Sequence, residues 1–212
     1  MTIDDIAKLI EEKSRGKRFV VFVCGFGGAG KTTFCHQLSS RLSCQSLVFE
    51  TDWYAKYATM ERRERIQSAL SSADPIRIER EENPLNWYDW PKLVAGLHSL
   101  KKRGRLDIEG GWSQRSGEKE LSLHLNLQEE QTSVILCDGI YLLHDPVISA
   151  ADLIVLLNTP ISACLERARK RDNHRSSEEY LQYKALLADK YDQPYFDQHR
   201  ENAHLILSTD AL

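Results

Sequence analysis

Apolar positions along this chain follow two periods, one suited to helices and one to buried strands. Ile3, Ile6, Ala7 and Ile10 recur at helical spacing and predict an amphipathic N-terminal helix covering a core. Arg18 to Cys24 (RFVVFVC), Ser133 to Cys137 (SVILC) and Asp152 to Leu157 (DLIVLL) are continuous apolar runs rich in β-branched residues. Such runs suit strands covered on both faces, as in a parallel sheet. Ser46 to Glu50 (SLVFE) predicts a further strand, and His204 to Leu207 a short last one. Helical patterns lie between them. They cover Lys31 to Leu42, the polar stretch Met60 to Leu70, Pro91 to Lys102, the face Ile161, Cys164, Leu165 and Ala168, and Ser177 to about Lys190. Proline in the first turn and Gly104 beyond the end bound the third of these.

Arg105 to Leu127 breaks the rhythm. Gly110-Gly111 and Ser116-Gly117 interrupt it, while Leu121, Leu123, Leu125 and Leu127 alternate strictly. One or two antiparallel strands projecting beside the main sheet are expected there. Strands alternating with helices elsewhere predict an α/β fold: a doubly wound parallel sheet with flanking helices and a small hairpin insertion. At 212 residues, one domain spanning 1–212 is the expectation.

Composition narrows the partners. The formal charge is −3 and no long stretch is strongly basic, which argues against nucleic acid. No apolar run approaches the roughly 20 residues that span a bilayer. Acids in Met1 to Ile6 stand where a signal peptide needs a basic start. Five cysteines (Cys24, Cys35, Cys44, Cys137, Cys164) form no C-x-x-C pair, which fits a reducing compartment. A cytoplasmic chain with no membrane partner is therefore expected, and self-association into a homo-oligomer is left open. Neither H-E-x-x-H nor G-x-S-x-G occurs, so zinc-peptidase and serine-hydrolase chemistry find no support.

Gly25-Phe26-Gly27-Gly28-Ala29-Gly30-Lys31-Thr32 matches G-x-x-x-x-G-K-[ST] directly after a predicted strand and at the start of a predicted helix. Gly25, Gly27, Gly28 and Gly30, with the small Ala29, let the loop curl until its N–H groups point at phosphate oxygens. The helix N-terminus adds partial positive charge. Lys31 is expected to neutralise β and γ phosphates, Thr32 to ligate Mg²⁺, and Thr33 to join the phosphate-binding set. The cofactors implied are ATP and Mg²⁺. Guanine-specific switches are disfavoured, because Asn158-Thr159-Pro160-Ile161 lacks N-K-x-D and the D-x-x-G match at Asp107 to Gly110 follows no apolar strand.

Two carboxylates follow short apolar strands, Asp52 and Asp138. In a parallel sheet such positions open into the crevice beside a phosphate loop. Phosphoryl transfer needs a metal holder and a group that orients and deprotonates the attacking hydroxyl. Asp52 is assigned as general base and Asp138 as the carboxylate acting on Mg²⁺, directly or through water. A cap or turn role is the alternative for each, since Asp138-Gly139 is also a turn dipeptide. Arg167, Arg171 and Arg175 recur every four residues and would share a helix face, able to close over a triphosphate. A solvated face is the alternative.

With these residues placed, the chain resembles the uridine kinase-like branch of the phosphoribulokinase/uridine kinase family of P-loop kinases, from the glycine loop to the last strand. Asp52-Trp53-Tyr54 is similar to the family's D-x-[FW]-Y, whose Asp is the catalytic base. Tyr88-Asp89-Trp90-Pro91 resembles F-D-H-P, whose Asp contacts acceptor sugar hydroxyls. Cys137 to Ile140 is similar to the segment ending the third sheet strand, and Leu165 to Asp172 to the R-x-x-x-R-D run entering the lid. Gln182-Tyr183, and Tyr195 with Ala203 to Leu207, are similar to the closing helix and final strand.

The resemblance implies a lid at about 167–178, an acceptor-side insertion at about 84–127, and acceptor contacts from Asp52, Tyr54, Asp89 and Gln182. Arg171 would act on the transferring group. The departures are Trp90 in place of histidine, a lid several residues short, and Gly111 to Gly117 without the tyrosine and histidine used for the nucleobase. Trp112 could stack on a ring or merely pack the hairpin, and Arg115 could bind a polar group. What the resemblance implies is a kinase that phosphorylates a hydroxyl of a nucleoside such as uridine or cytidine. A sugar, a sugar phosphate or a pantothenate-like acid is the alternative acceptor, and a regulatory switch or binding protein the alternative class.

Overall fold

The computed structural model of the protein describes residues 1–128, 132–172 and 178–208, without the side chains of residues 171, 172 and 180. The chain divides into two compact units, Met1–Phe49 with Leu127–Leu212, and Glu50–Asn126 between them.

The first unit is built on a five-stranded sheet of β1 (Arg18–Cys24), β2 (Gln45–Glu50), β5 (Ser133–Gly139), β6 (Leu153–Asn158) and β7 (Leu205–Ser208). Their order is β2-β5-β1-β6-β7. β1 is central. It runs parallel to β5 from Arg18↔Ser133 to Cys24↔Gly139, and parallel to β6 from Val21↔Leu153 to Cys24↔Leu156. Phe19 to Cys24 are all 2% exposed or less, which is why this run of apolar residues is a strand covered on both faces. Burying each such side chain is worth about 1.5–3 kcal/mol, so β1 alone outweighs many weaker surface preferences.

Helices α1 (Ile3–Ser14) and α2 (Lys31–Ser39) place Ile6, Ile10, Phe34, Cys35 and Leu38 against Phe19, Val21 and Val23. α1 starts at a capping box: Thr2 Oγ1 accepts from Asp5 N, and the Asp5 carboxylate accepts from Thr2 N at 2.8 Å. These bonds hold the Asp5 carboxyl below its ordinary value. α2 ends at Ser39, three residues short of the predicted Leu42, and Ser40 caps it.

Past β6 come α6 (Ile161–Asp172), α7 (Glu178–Leu187) and α8 (Gln193–His199). The single helix expected from Ser177 to about Lys190 differs from what forms. α7 passes through a π turn at Ala188–Asp192 into α8, which has proline in its first turn. Pro194 has no N–H and its ring crowds the carbonyl four residues back, so the ladder widens there instead of breaking.

The second unit holds α3 (Thr59–Ser72), α4 (Pro75–Glu82), α5 (Trp90–Arg103) and the antiparallel pair β3 (Arg105–Trp112) and β4 (Lys119–Asn126). It begins at Glu50, ahead of the insertion boundary near residue 84 expected from the motifs. The reason is that α3 packs with the hairpin. Thr59 N donates to Gly117 O at 2.7 Å, and Lys119 Nζ reaches Ala55 O at 2.8 Å. α4 was not anticipated. Asp74 caps it through Ile76 N and Arg77 N, and Pro75 fills its first turn. Arg65 grips Glu81 with two bonds at 3.0 and 3.2 Å, joining α3 to α4, and Arg80 pairs with the same carboxylate from within α4. Burial alone would raise the Glu81 carboxyl; the arginines overcome it and hold it below the ordinary value.

Candidate nucleotide and acceptor sites

The residues expected to bind the phosphate donor lie in the first unit. β1 delivers the chain to Gly25, and α2 opens at Lys31 behind Gly30, which is left-handed (φ 90°) and gives no side-chain cap. The first N–H groups of α2 are thus left to an anion. At Gly28 (φ 94°) a Cβ would sit 2.3 Å from Cys164 O of α6, so only glycine lets the loop lie this close. Ala29 N donates to Phe26 O at 3.0 Å and Thr159 Oγ1 donates to Ala29 O at 3.3 Å, which fixes the curl.

Lys31 Nζ folds back onto Phe26 O at 3.0 Å. The Thr32 and Thr33 hydroxyls lie on the exposed first turn of α2. Asp138 closes β5 at 8% exposure, in register with Val23 beside the start of the loop. Burial pushes the Cys24 thiol up, and it feels both charges: Lys31 pulls it down and Asp138 pushes it up. Gly25, Gly27, Gly28, Ala29, Gly30, Lys31 and Thr32 form one continuous segment of the first unit, and Asp138 lies on the neighbouring strand in register with Val23 just before it. The hard oxygens of Thr32 and Asp138 are a donor set that fits Mg²⁺.

Sequence reasoning missed the group behind this loop. Tyr141 donates its phenolic proton to Asp192 in the π turn, and Phe196 of α8 packs on Phe26 of the loop with ring centroids 4.5 Å apart. Burial pushes Asp192 up to about 6, against the Tyr141 bond and the charge of Lys31. The phenol oxygen of Tyr195 accepts from Leu143 N at 2.7 Å and tethers α8 to the segment after β5. Pro194 signals an irregular helix, yet no local pattern marks Asp192 as half-buried.

The arginine stripe is not assembled by the described residues. Arg167 is exposed on α6, while the Arg171 side chain and Arg175 lie outside them. Of the flanking cations, Arg169 pairs with Glu178 at 2.7 Å and Lys170 with Glu166 at 2.6 Å.

In the second unit the two acceptor motifs are laced together. Asp52 lies on the 3-10 turn Thr51–Tyr54, and Tyr88 on the strand-like segment before α5. Ala55 and Tyr88 form an antiparallel bridge, Lys56 N donates to Trp87 O at 2.7 Å, and Asp89 N donates to Tyr54 O at 2.9 Å. Across this lacing the Tyr88 hydroxyl donates to Asp52 Oδ1 at 3.0 Å.

Three residues expected to contact the acceptor have partners within the fold. The Tyr54 hydroxyl lies against α5, where a Cβ on Gly96 would come within 2.3 Å of it. Asp89 caps α5, accepting from Lys92 N at 3.2 Å, with its other oxygen 3.4 Å from Lys92 Nζ. The Trp112 N–H is shared between Thr59 Oγ1 and Gly117 O at 3.2 and 3.1 Å, so packing of the hairpin uses it. Arg115 is exposed on the hairpin turn and Gln182 exposed on α7. Trp90, which replaces the motif's histidine, donates its N–H to Leu85 O at 2.8 Å and stacks at 5.1 Å on Tyr88.

A parallel sheet in this order, with a glycine cradle between its central strand and a helix starting at lysine, defines a P-loop kinase fold. No family model matches the chain. Uridine kinase from Ureaplasma urealyticum is 25% identical over 194 residues, covering 88% of this chain and 86% of that protein. D-glycerate 3-kinase from Cryptococcus neoformans superposes with a TM-score of 0.65 at 12% identity, over 99% of this chain and 96% of that one. Phosphoribulokinase from Rhodobacter spheroides gives 0.60 at 11% identity, over 88% and 68%. Uridine kinases are thus homologues of this chain over most of its length, and the chain is a phosphotransferase acting on a hydroxyl group. Among the described residues no helix is long and apolar enough to cross a membrane.

Proposed function

We propose that the protein is an ATP- and Mg²⁺-dependent kinase that transfers the γ-phosphate to a hydroxyl of a nucleoside such as uridine or cytidine. The observation that carries this reading is the lacing of Asp52 to Tyr88 across the two acceptor motifs, in a chain whose phosphate loop is intact. The loop amides and Lys31 hold the triphosphate. Thr32 and Asp138 would hold Mg²⁺, which would supply charge neutralisation at the phosphate oxygens. Asp52 orients the acceptor hydroxyl and takes its proton. Arg167, Arg171 and Arg175, in a lid at about 167–178, offset charge on the transferring group. Residues 1–212 work as one kinase domain.

A second reading keeps the chemistry and shrinks the acceptor to a sugar, sugar phosphate or hydroxy acid. The committed N–H of Trp112 favours it, since Gly111 to Gly117 is the segment where the resemblance expects nucleobase recognition. Release of ADP from ATP with Mg²⁺, screened against uridine, cytidine, sugars and D-glycerate, separates the two. Stimulation by uridine or cytidine is expected. Stimulation by sugars or glycerate alone moves the acceptor to the second reading, and stimulation by none contradicts the kinase reading.

A further inference from the structure

Asp52 is an exposed carboxylate on a single turn of 3-10 helix. A side chain in that setting ordinarily exchanges among rotamers, whereas a base in phosphoryl transfer must be aimed. Tyr88 meets that need. Its backbone is tied to Ala55 by the bridge, and the neighbouring bonds Lys56 N to Trp87 O and Asp89 N to Tyr54 O hold it on both sides. Its ring packs against Trp90, which Leu85 O anchors in turn. The phenol is therefore a rigid donor, 3.0 Å from Oδ1 of the less constrained Asp52.

A purely structural role explains this bond poorly. The backbone bonds already close the two motifs on each other, and a solvent-exposed side-chain bond adds little to stability. The hydroxyl's distinctive effect is to occupy Oδ1 and leave Oδ2 with a defined direction. We propose that Tyr88 is a positioning residue for Asp52, selecting Oδ2 as the atom that receives the acceptor's proton. This rests on the reading of Asp52 as the base.

In the step, the acceptor O–H bond breaks and its proton passes to Oδ2. The acceptor oxygen bonds to the γ-phosphorus as the bond from that phosphorus to the β,γ-bridging oxygen breaks, releasing ADP. Tyr88 keeps its own proton throughout. A donated hydrogen bond also makes a carboxylate a weaker base. Orientation outweighs that loss, because a loose phosphoryl-transfer transition state asks for positioning more than for base strength.

Tyr88→Phe removes one oxygen and keeps the ring on Trp90. Steady-state ADP release is compared for wild type, Tyr88→Phe and Asp52→Asn, with ATP, Mg²⁺ and uridine, cytidine or D-glycerate. It is also read as basal ATP hydrolysis, where water is the acceptor. Tyr88→Phe is expected to lower kcat about 10- to 100-fold with the KM for ATP and the melting temperature unchanged. Wild-type kcat in Tyr88→Phe while Asp52→Asn is inactive overturns the positioning role and leaves the base reading standing. A fall in kcat matched by a rise in KM for ATP or a drop in melting temperature also overturns it. Turnover retained by Asp52→Asn overturns the base reading itself.

Discussion

Asp192 takes up a proton more readily in the folded chain than in the unfolded one, because burial lifts it from an ordinary 3.8 to about 6. Between those two values the folded state binds more protons. Stability is therefore greatest below the lower value, falls as pH rises through this window, and levels off above it. Asp192→Asn keeps the Tyr141 hydroxyl's acceptor and removes the charge. Its thermal midpoint should exceed that of wild type at about pH 7.5, with the difference shrinking as pH is lowered toward about 4.5. Differential scanning fluorimetry across that range checks the sign; a gap independent of pH would contradict a raised Asp192. The sequence did not show this residue because its partner Tyr141 is 51 positions away. The phosphate loop was visible because its chemistry is local to eight consecutive residues, Gly25 to Thr32.

Helix α5 poses a contest between propensity and packing. Alanine in place of Gly96 should favour the helix by about 1 kcal/mol. Its Cβ would meet Tyr54 Oη at 2.3 Å and Leu106 Cδ2 at 3.2 Å. Overpacking costs about 1–3 kcal/mol, so packing prevails. Gly96→Ala should be less stable than wild type in urea unfolding, and Gly96→Ala with Tyr54→Phe should recover part of the loss. A more stable single variant would refute the tight contact. Other elements differed in how plainly they could be read. β1 matches its prediction residue for residue, since a buried strand writes itself as an unbroken apolar run. α4 has only two isoleucines among its eight residues, one of them 82% exposed, so no apolar stripe announces it; its start rests on Asp74 and Pro75. The π turn was visible only as a proline, which marks an interruption without saying how the backbone absorbs it.

At the scale of the whole molecule, the sheet order and the loop after its central strand give the chain the fold of P-loop kinases, and homologous uridine kinases span most of its length. The glycine loop was the legible part, because its residues are consecutive and run straight into a helix that begins at Lys31. The acceptor side was less so. Tyr54, Asp89 and Trp112 carry the right side chains for a substrate, yet each has a packing or capping partner that only the folded chain reveals. Transfer of the terminal phosphoryl group to a metabolite hydroxyl is the central claim, and labelled ATP tests it directly. With γ-labelled ATP, Mg²⁺ and uridine or cytidine, the label should appear in a phosphomonoester of the nucleoside, and Lys31→Ala should slow that transfer about 100- to 1,000-fold. Label recovered only as inorganic phosphate, at one rate with or without acceptor, would contradict it.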